Sequence, residues 1–127
     1  MNIDPNANYS FVLTITPEMT ASALGSGDMD VLATPAMIAA MEHAAMLAVA
    51  PGLDEGETTV GSAISTTHEH PSAVGQSFIA TARLTAQEGR RLEFDIEARD
   101  AVGQCIGQGK HTRYVVKRER FLSPFKK

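Results

Sequence analysis

A chain of 127 residues, 43% of them hydrophobic, has the size and composition of one globular domain with a real core, and a net charge of −4 argues against nucleic acid as a partner. Its one cysteine, Cys105, excludes an internal disulfide and fits a reducing cytoplasm. The polar start MNIDPNANYS does not read as a signal peptide, and the longest apolar run is too short and too interrupted to span a bilayer.

Residues 1–8 read as a loose terminus. Tyr9 to Thr16 is rich in β-formers and predicts a strand that Pro17 ends. Residues 17–30, with Pro, Ser, two Gly and two Asp, read as a loop with a helical turn near Glu18–Leu24; long connections of this kind often carry function. The main helix lies within Val31–Ala50. Thr34-Pro35 is its start signal and Pro51-Gly52 its stop. Between them Ala, Met, Ile, Leu and Val occupy every side, the pattern of a buried helix. Glu42 sits in the middle of it, where a carboxylate needs a partner.

From Glu57 onward the period changes to two. In Thr58–His68 the larger apolar groups fall on the parity of Val60, Ile64 and Thr66, which directs His68 inward and places Thr59, Gly61 and Ala63 outward. Gln76–Ala86 buries Phe78, Ala80, Ala82 and Leu84; after a hairpin turn at Gln87–Gly89, Arg90–Asp100 buries Leu92, Phe94, Ile96 and Ala98. Gln104–Val116 is the last long strand, in which Gly107 and Gly109 mark a bulge or a close approach. Residues 117–127 read as a charged, frayed tail containing the only basic run. One strand, one long apolar helix and four antiparallel strands joined by short turns make an α+β hotdog fold: a single domain, 1–127, with a sheet wrapped around the helix. Such a layer leaves one helix side and one sheet edge bare, so a two-fold dimer is expected.

Three polar residues are candidates for chemistry. Thr34 reads as a helix cap or as a catalytic hydroxyl, or as both. Glu42 reads as an acid paired with a neighbour or reaching solvent, or as a desolvated base. His68 reads as a strand-end histidine with a satisfied bond, or as an acid/base. His43 and His70 read as surface or interface residues, His111 as structural, and Cys105 as inert. No ligand spacing suggests a metal and no glycine-rich phosphate loop is present. Thr34 and Glu42 are eight residues apart, about 12 Å along one helix. If both serve one site, Thr34 is expected to meet Glu42 of a second copy.

The runs ATPAMIAAMEHAA, TTVGSAISTTHEHPSAVG, LTAQEGRRLEFDIEARD and GQGKHTRYVV, spanning roughly residues 30–116, resemble the fluoroacetyl-CoA thioesterase type of hotdog protein. The Thr-Pro at the helix start, the Glu one segment later and the V-G-x(6)-H strand match that family's spacing. The resemblance implies hydrolysis of acyl-CoA thioesters by a homodimer or higher oligomer, without a cofactor. Thr34, Glu42 and His68 are its implied catalytic residues, and Gly61 the small residue beside the thioester carbonyl. Arg113, or basic residues of the tail, are expected to meet the CoA phosphates. The family's fluoroacetate-selective enzyme has an aromatic gate before the helix; here Gly25-Ser26-Gly27-Asp28-Met29-Asp30 contains no Phe or Tyr. A different short or medium acyl group is therefore expected. The alternatives are a non-catalytic hotdog that binds acyl-CoA and a hydratase, whose pattern fits these residues poorly.

Overall fold

The computed structural model describes residues 1–126. The chain forms β1 (Asn8–Thr14), a short α1 (Ala21–Leu24), α2 (Thr34–Val49), β2 (Glu57–Thr66), β3 (Ser77–Glu88), β4 (Arg91–Asp100), β5 (Cys105–Lys117) and α3 (Arg118–Leu122). The strands make one antiparallel sheet in the order β1-β3-β4-β5-β2. It curls around α2 as the hotdog arrangement requires. No described helix is long and apolar enough to cross a membrane.

The alternation in β3 and β4 sets the core. Phe78, Ala80, Ala82, Leu84, Leu92, Phe94, Ile96 and Ala98 are all buried, against Met37, Met41, Ala44, Ala45 and Val49 of α2. Small residues on the helix let the sheet approach its axis, while the two buried Phe fill the remaining depth. Register shifts at Gly61/Ala63, Leu84/Ala86 and Ala98/Arg99 mark extra residues in the ladders; such bulges increase twist and help the sheet curl. At Gly107 a Cβ would stand 2.6 Å from the Thr67 carbonyl oxygen and 2.8 Å from Met37 Sδ, so this glycine is a close approach.

Four expectations change. The β2–β3 link is not a short turn: β2 is one edge of the sheet and β3 lies near the other, so residues 67–76 cross between them. Residues 1–7 are not loose, because Asn2 N–H donates to the Gly52 carbonyl at 2.7 Å and Ile3 and Ala7 are buried. Residues 117–126 are not frayed, Lys127 lying outside the described residues; the chain turns into α3, tied down by Arg118 N–H on the Gly56 carbonyl at 2.8 Å. Thr34 is no cap: Ala33 holds that position with extended backbone, and Thr34 is already helical. As expected of a single layer, one side of α2 is left bare in one protomer. Pro35, Ile38, Ala39, Glu42, His43 and Met46 form an outer face that is exposed or half-buried.

Candidate active site

The first cluster stands at the start of α2. With Ala33 as the cap and no side-chain capping bond, the Thr34 hydroxyl is released from helix duty. It lies 2.7 Å from His68 Nδ1. His68 reaches it because the chain continues beside β5 past the end of β2: Thr67 N–H donates to Gln108 O at 3.0 Å and Glu69 N–H to Ile106 O at 2.7 Å. Burial lowers the His68 pKa from its ordinary value, so the ring is neutral at pH 7. Its Nε2 is buried and has no hydrogen-bond partner among the described residues. A buried orphan nitrogen is uncommon and calls for a ligand, a water or a second chain.

The second cluster lies two helical turns on. Glu42 Oε2 is 3.6 Å from Arg113 Nη1 and 3.8 Å from His111 Nε2, and its side chain keeps 40% exposure. Behind it Thr59, His111 and Arg113 are buried. Arg113 donates from Nε to Thr59 Oγ1 at 2.9 Å and from Nη2 to the Thr59 carbonyl at 3.0 Å. Its Nη1 is 3.2 Å from His111 Nε2, and His111 Nδ1 is 2.7 Å from the Ala63 carbonyl. A guanidinium only donates and a carbonyl only accepts, so Nε2 is the bare nitrogen and Nδ1 carries the proton. Burial, aided by the Arg113 charge, lowers the His111 pKa and keeps this tautomer neutral. Desolvation also lowers the Arg113 pKa, opposed by Glu42; the guanidinium remains a cation.

Gly61 completes this cluster. It pairs with Arg113 across the β2–β5 ladder. A Cβ there would stand 2.6 Å from Glu42 Oε2, 3.1 Å from His111 Cε1 and 3.3 Å from Arg113 Nη1. The carboxylate occupies the space a side chain would take. The bulge explains why the sequence parity assigned Gly61 and Thr59 outward. Gly61 pairs with Arg113 and Ala63 with Thr112, leaving Ser62 as the extra residue. Thr59 and Gly61 thus share the inner face with Ile64 and Thr66, and Thr59 is buried.

Thr34 and His68 therefore meet, and Glu42 meets Gly61 and Arg113, but the two groups stand about 12 Å apart along α2. Arg113, expected to reach for CoA phosphates, turns inward and is only 6% exposed, hydrogen-bonded to Thr59 and His111 and ion-paired with Glu42. His111, read as structural, lines the site; the signal was its shared parity with Arg113. His43 lies edge-on to Phe11 with ring centroids 5.5 Å apart, and His70 is exposed. No three described His, Cys, Asp or Glu side chains come together as a metal site needs.

A profile of the fluoroacetyl-CoA-specific thioesterase family matches residues 15–119. A fluoroacetyl-CoA thioesterase of Streptantibioticus cattleyicolor is 41% identical over 92 residues, 72% of this chain and 66% of that protein, so the match spans just under two thirds of the relative's length. The solved structure of the fluoroacetyl-CoA thioesterase FlK superposes with a TM-score of 0.90 at 31% identity, over 98% of this chain and 96% of that one. A mutant of the same enzyme in complex with fluoroacetate and CoA gives 0.87 at 33% identity, over 94% and 99%. A Thermus thermophilus thioesterase superfamily member gives 0.88 at 29% identity, over 97% and 90%.

Proposed function

The chain belongs to the fluoroacetyl-CoA-specific thioesterase family, and from that premise we propose that it hydrolyses a short or medium acyl-CoA thioester to the free acid and CoA. The observation that carries this reading is the Glu42 carboxylate, ion-paired at 3.6 Å with Arg113 over the Gly61 backbone on the outer face of a mostly apolar helix. The pair engages Oε2 and leaves the second carboxylate oxygen to act. Glu42 takes a proton from water as the oxygen attacks the thioester carbonyl, or attacks that carbon itself and is freed by water afterwards. The oxyanion is met by the Thr34 hydroxyl and by amides near the start of α2, where the helix dipole is positive. With the Thr34 proton on the oxyanion, His68 donates from Nδ1 to the Thr34 oxygen and holds the attacking water on its bare Nε2, and the departing thiolate takes the proton that the water gives up.

These groups belong to one site only if two copies share it. The outer face of α2 and the free edge of β2 are where a second copy packs, and a two-fold axis there brings Thr34 and His68 of one protomer to Glu42 of the other. The unpartnered His68 Nε2 supports this arrangement. The segment 25–30 offers no aromatic ring, and the exposed apolar side chains in and beside it are Met29 and Leu24, so the acyl pocket is built without an aromatic gate.

Free thiol release over a panel of acyl-CoAs tests the reading. The wild type turns over at least one short or medium chain. Glu42→Gln loses at least about a hundredfold, the usual worth of a positioned acid/base, and His68→Ala falls by a similar factor. A protein that binds acyl-CoA and releases no thiol from any of them is a binding module instead.

A further inference from the structure

On the ridge of α2 that runs from Thr34 to Glu42, the intervening residue is Ile38. Steps of four turn the helix face by only about 40°, and each advances about 6 Å along the axis. Ile38 therefore stands between the two polar clusters, equally far from both. The inner face of β2 repeats this order: Gly61 belongs to the Glu42 cluster, Ile64 follows, and the strand leads on to His68. Ile38 and Ile64 are half-buried, and Ile64 packs on the core while pairing with His111 across the ladder. The Thr66 hydroxyl lies 3.9 Å from Met41 Sδ and holds this half of β2 against the helix. Both elements thus carry an isoleucine between the clusters.

Symmetry gives that position a meaning. A two-fold axis that sets Thr34 against the partner subunit's Glu42 also sets Glu42 against the partner subunit's Thr34. The two helices then run antiparallel along this stretch, and its midpoint, Ile38, falls on the axis. Pro35 and Ala39, exposed beside Ile38, have short side chains, so a second helix can approach to about 10 Å. With Cα atoms on a cylinder of about 2.3 Å radius, the two Ile38 Cα atoms face each other across roughly 5–6 Å.

We infer that Ile38 packs on the two-fold axis against the partner subunit's Ile38, and that this pair is the common end wall of both acyl pockets and sets the acyl length accepted. The inference rests on the acyl-CoA reading and its shared site. Each thioester carbonyl stands level with Thr34 and the partner subunit's Glu42, about 6 Å from the axis. The CoA arm, much larger than the acyl group, leaves toward solvent, and the acyl chain points inward to the pair. An extended chain advances roughly 1.25 Å per carbon on standard bond dimensions, so no more than about five carbons follow the carbonyl. Isoleucine suits such a stop. Its branched Cβ holds nearly one rotamer in a helix, where a methionine would yield.

The experiment has two readouts, neither of which needs turnover. Ile38→Cys is made in a Cys105→Ser chain, which removes the one native thiol, and is oxidised mildly. The introduced thiols join into a covalent dimer, since a disulfide needs Cα atoms within about 7 Å. Ala50→Cys in the same background lies roughly 36 Å from its twin and runs as a monomer on a non-reducing gel. The second readout is the Kd for S-ethyl-CoA and S-octyl-CoA, thioethers that cannot be hydrolysed. Ile38→Ala shifts the ratio of the two toward the octyl ligand by at least about tenfold, and Ile38→Phe shifts it the other way. A merely structural role weakens both ligands together and leaves the ratio still. An unmoved ratio in both variants overturns the inference, as does an Ile38→Cys chain that does not cross-link. A wild type that hydrolyses no acyl-CoA, with cross-link and ratio as expected, defeats the hydrolase reading and leaves Ile38 as the wall.

Discussion

At the scale of the residue, Glu42 is set by what stands behind it. Arg113 presents one nitrogen to it and is locked by Thr59 and His111, and His111 is locked by Ala63. This chain of donors works only while His111 stays neutral, since a proton on Nε2 would face the guanidinium. The pKa of His111 is depressed in the folded protein, and the unfolded chain titrates near 6.5. Above pH 6.5 both states are neutral and the native state keeps its full stability. As pH falls below 6.5 the unfolded chain takes up a proton that the native state refuses, and stability drops until the folded pKa is passed. His68 has the same direction and adds to the loss. His111→Gln costs about 1–3 kcal/mol at pH 7.5 through unsatisfied buried partners. Urea unfolding at pH 7.5 and pH 5 should show that the variant loses less stability over this interval than the wild type. An equal loss would show that His111 does not titrate as its burial requires.

At the scale of the element, the strands were legible wherever the period of two was unbroken. Leu92, Phe94, Ile96 and Ala98 face α2 as their alternation predicts. Phe94 is 1% exposed and packs near His111, ring centroids 6.1 Å apart. Phe94→Ala therefore removes core contacts and loosens the floor under the Glu42 cluster. The expected cost is about 3–5 kcal/mol by denaturant midpoint; a cost below 1 kcal/mol would mean that the sheet collapses onto the gap. In β2 the alternation misled. Ser62 is an extra residue, and beyond it every side chain changes face relative to a regular strand. A bulge has no composition of its own, so Val60 and Thr59 were assigned to the wrong sides.

At the scale of the whole molecule, the protomer holds two separate polar clusters. Thr34 and His68 form one and Glu42, Gly61 and Arg113 the other. Mixing Thr34→Ala protomers with Glu42→Gln protomers tests whether a second copy joins them. Each variant alone is inactive. In a mixed dimer one of the two shared sites regains all its groups, giving about a quarter of wild-type activity after random exchange across a two-fold interface. If the site lay within one protomer, the mixture would stay at the level of the parents. The outer apolar face of α2 points the same way energetically, since Pro35 and Ala39 are exposed and Ile38 and Met46 only half-buried in a single chain.

The sequence by itself determined the five strands and the long helix α2, their order along the chain, the buried residues of β3 and β4, and the three polar residues at family spacing. Those are properties of local period and composition, which neighbours along the chain control. Tertiary structure alone decided that Thr34 is not a cap, that residues 67–76 cross the sheet, and that Arg113 points inward to Glu42 with His111. Each depends on groups far apart in sequence: His68 is 34 residues from Thr34, and Arg113 is 54 from Thr59. Their meeting is set by the curl of the sheet and by one inserted residue, and neither leaves a periodic trace in the chain.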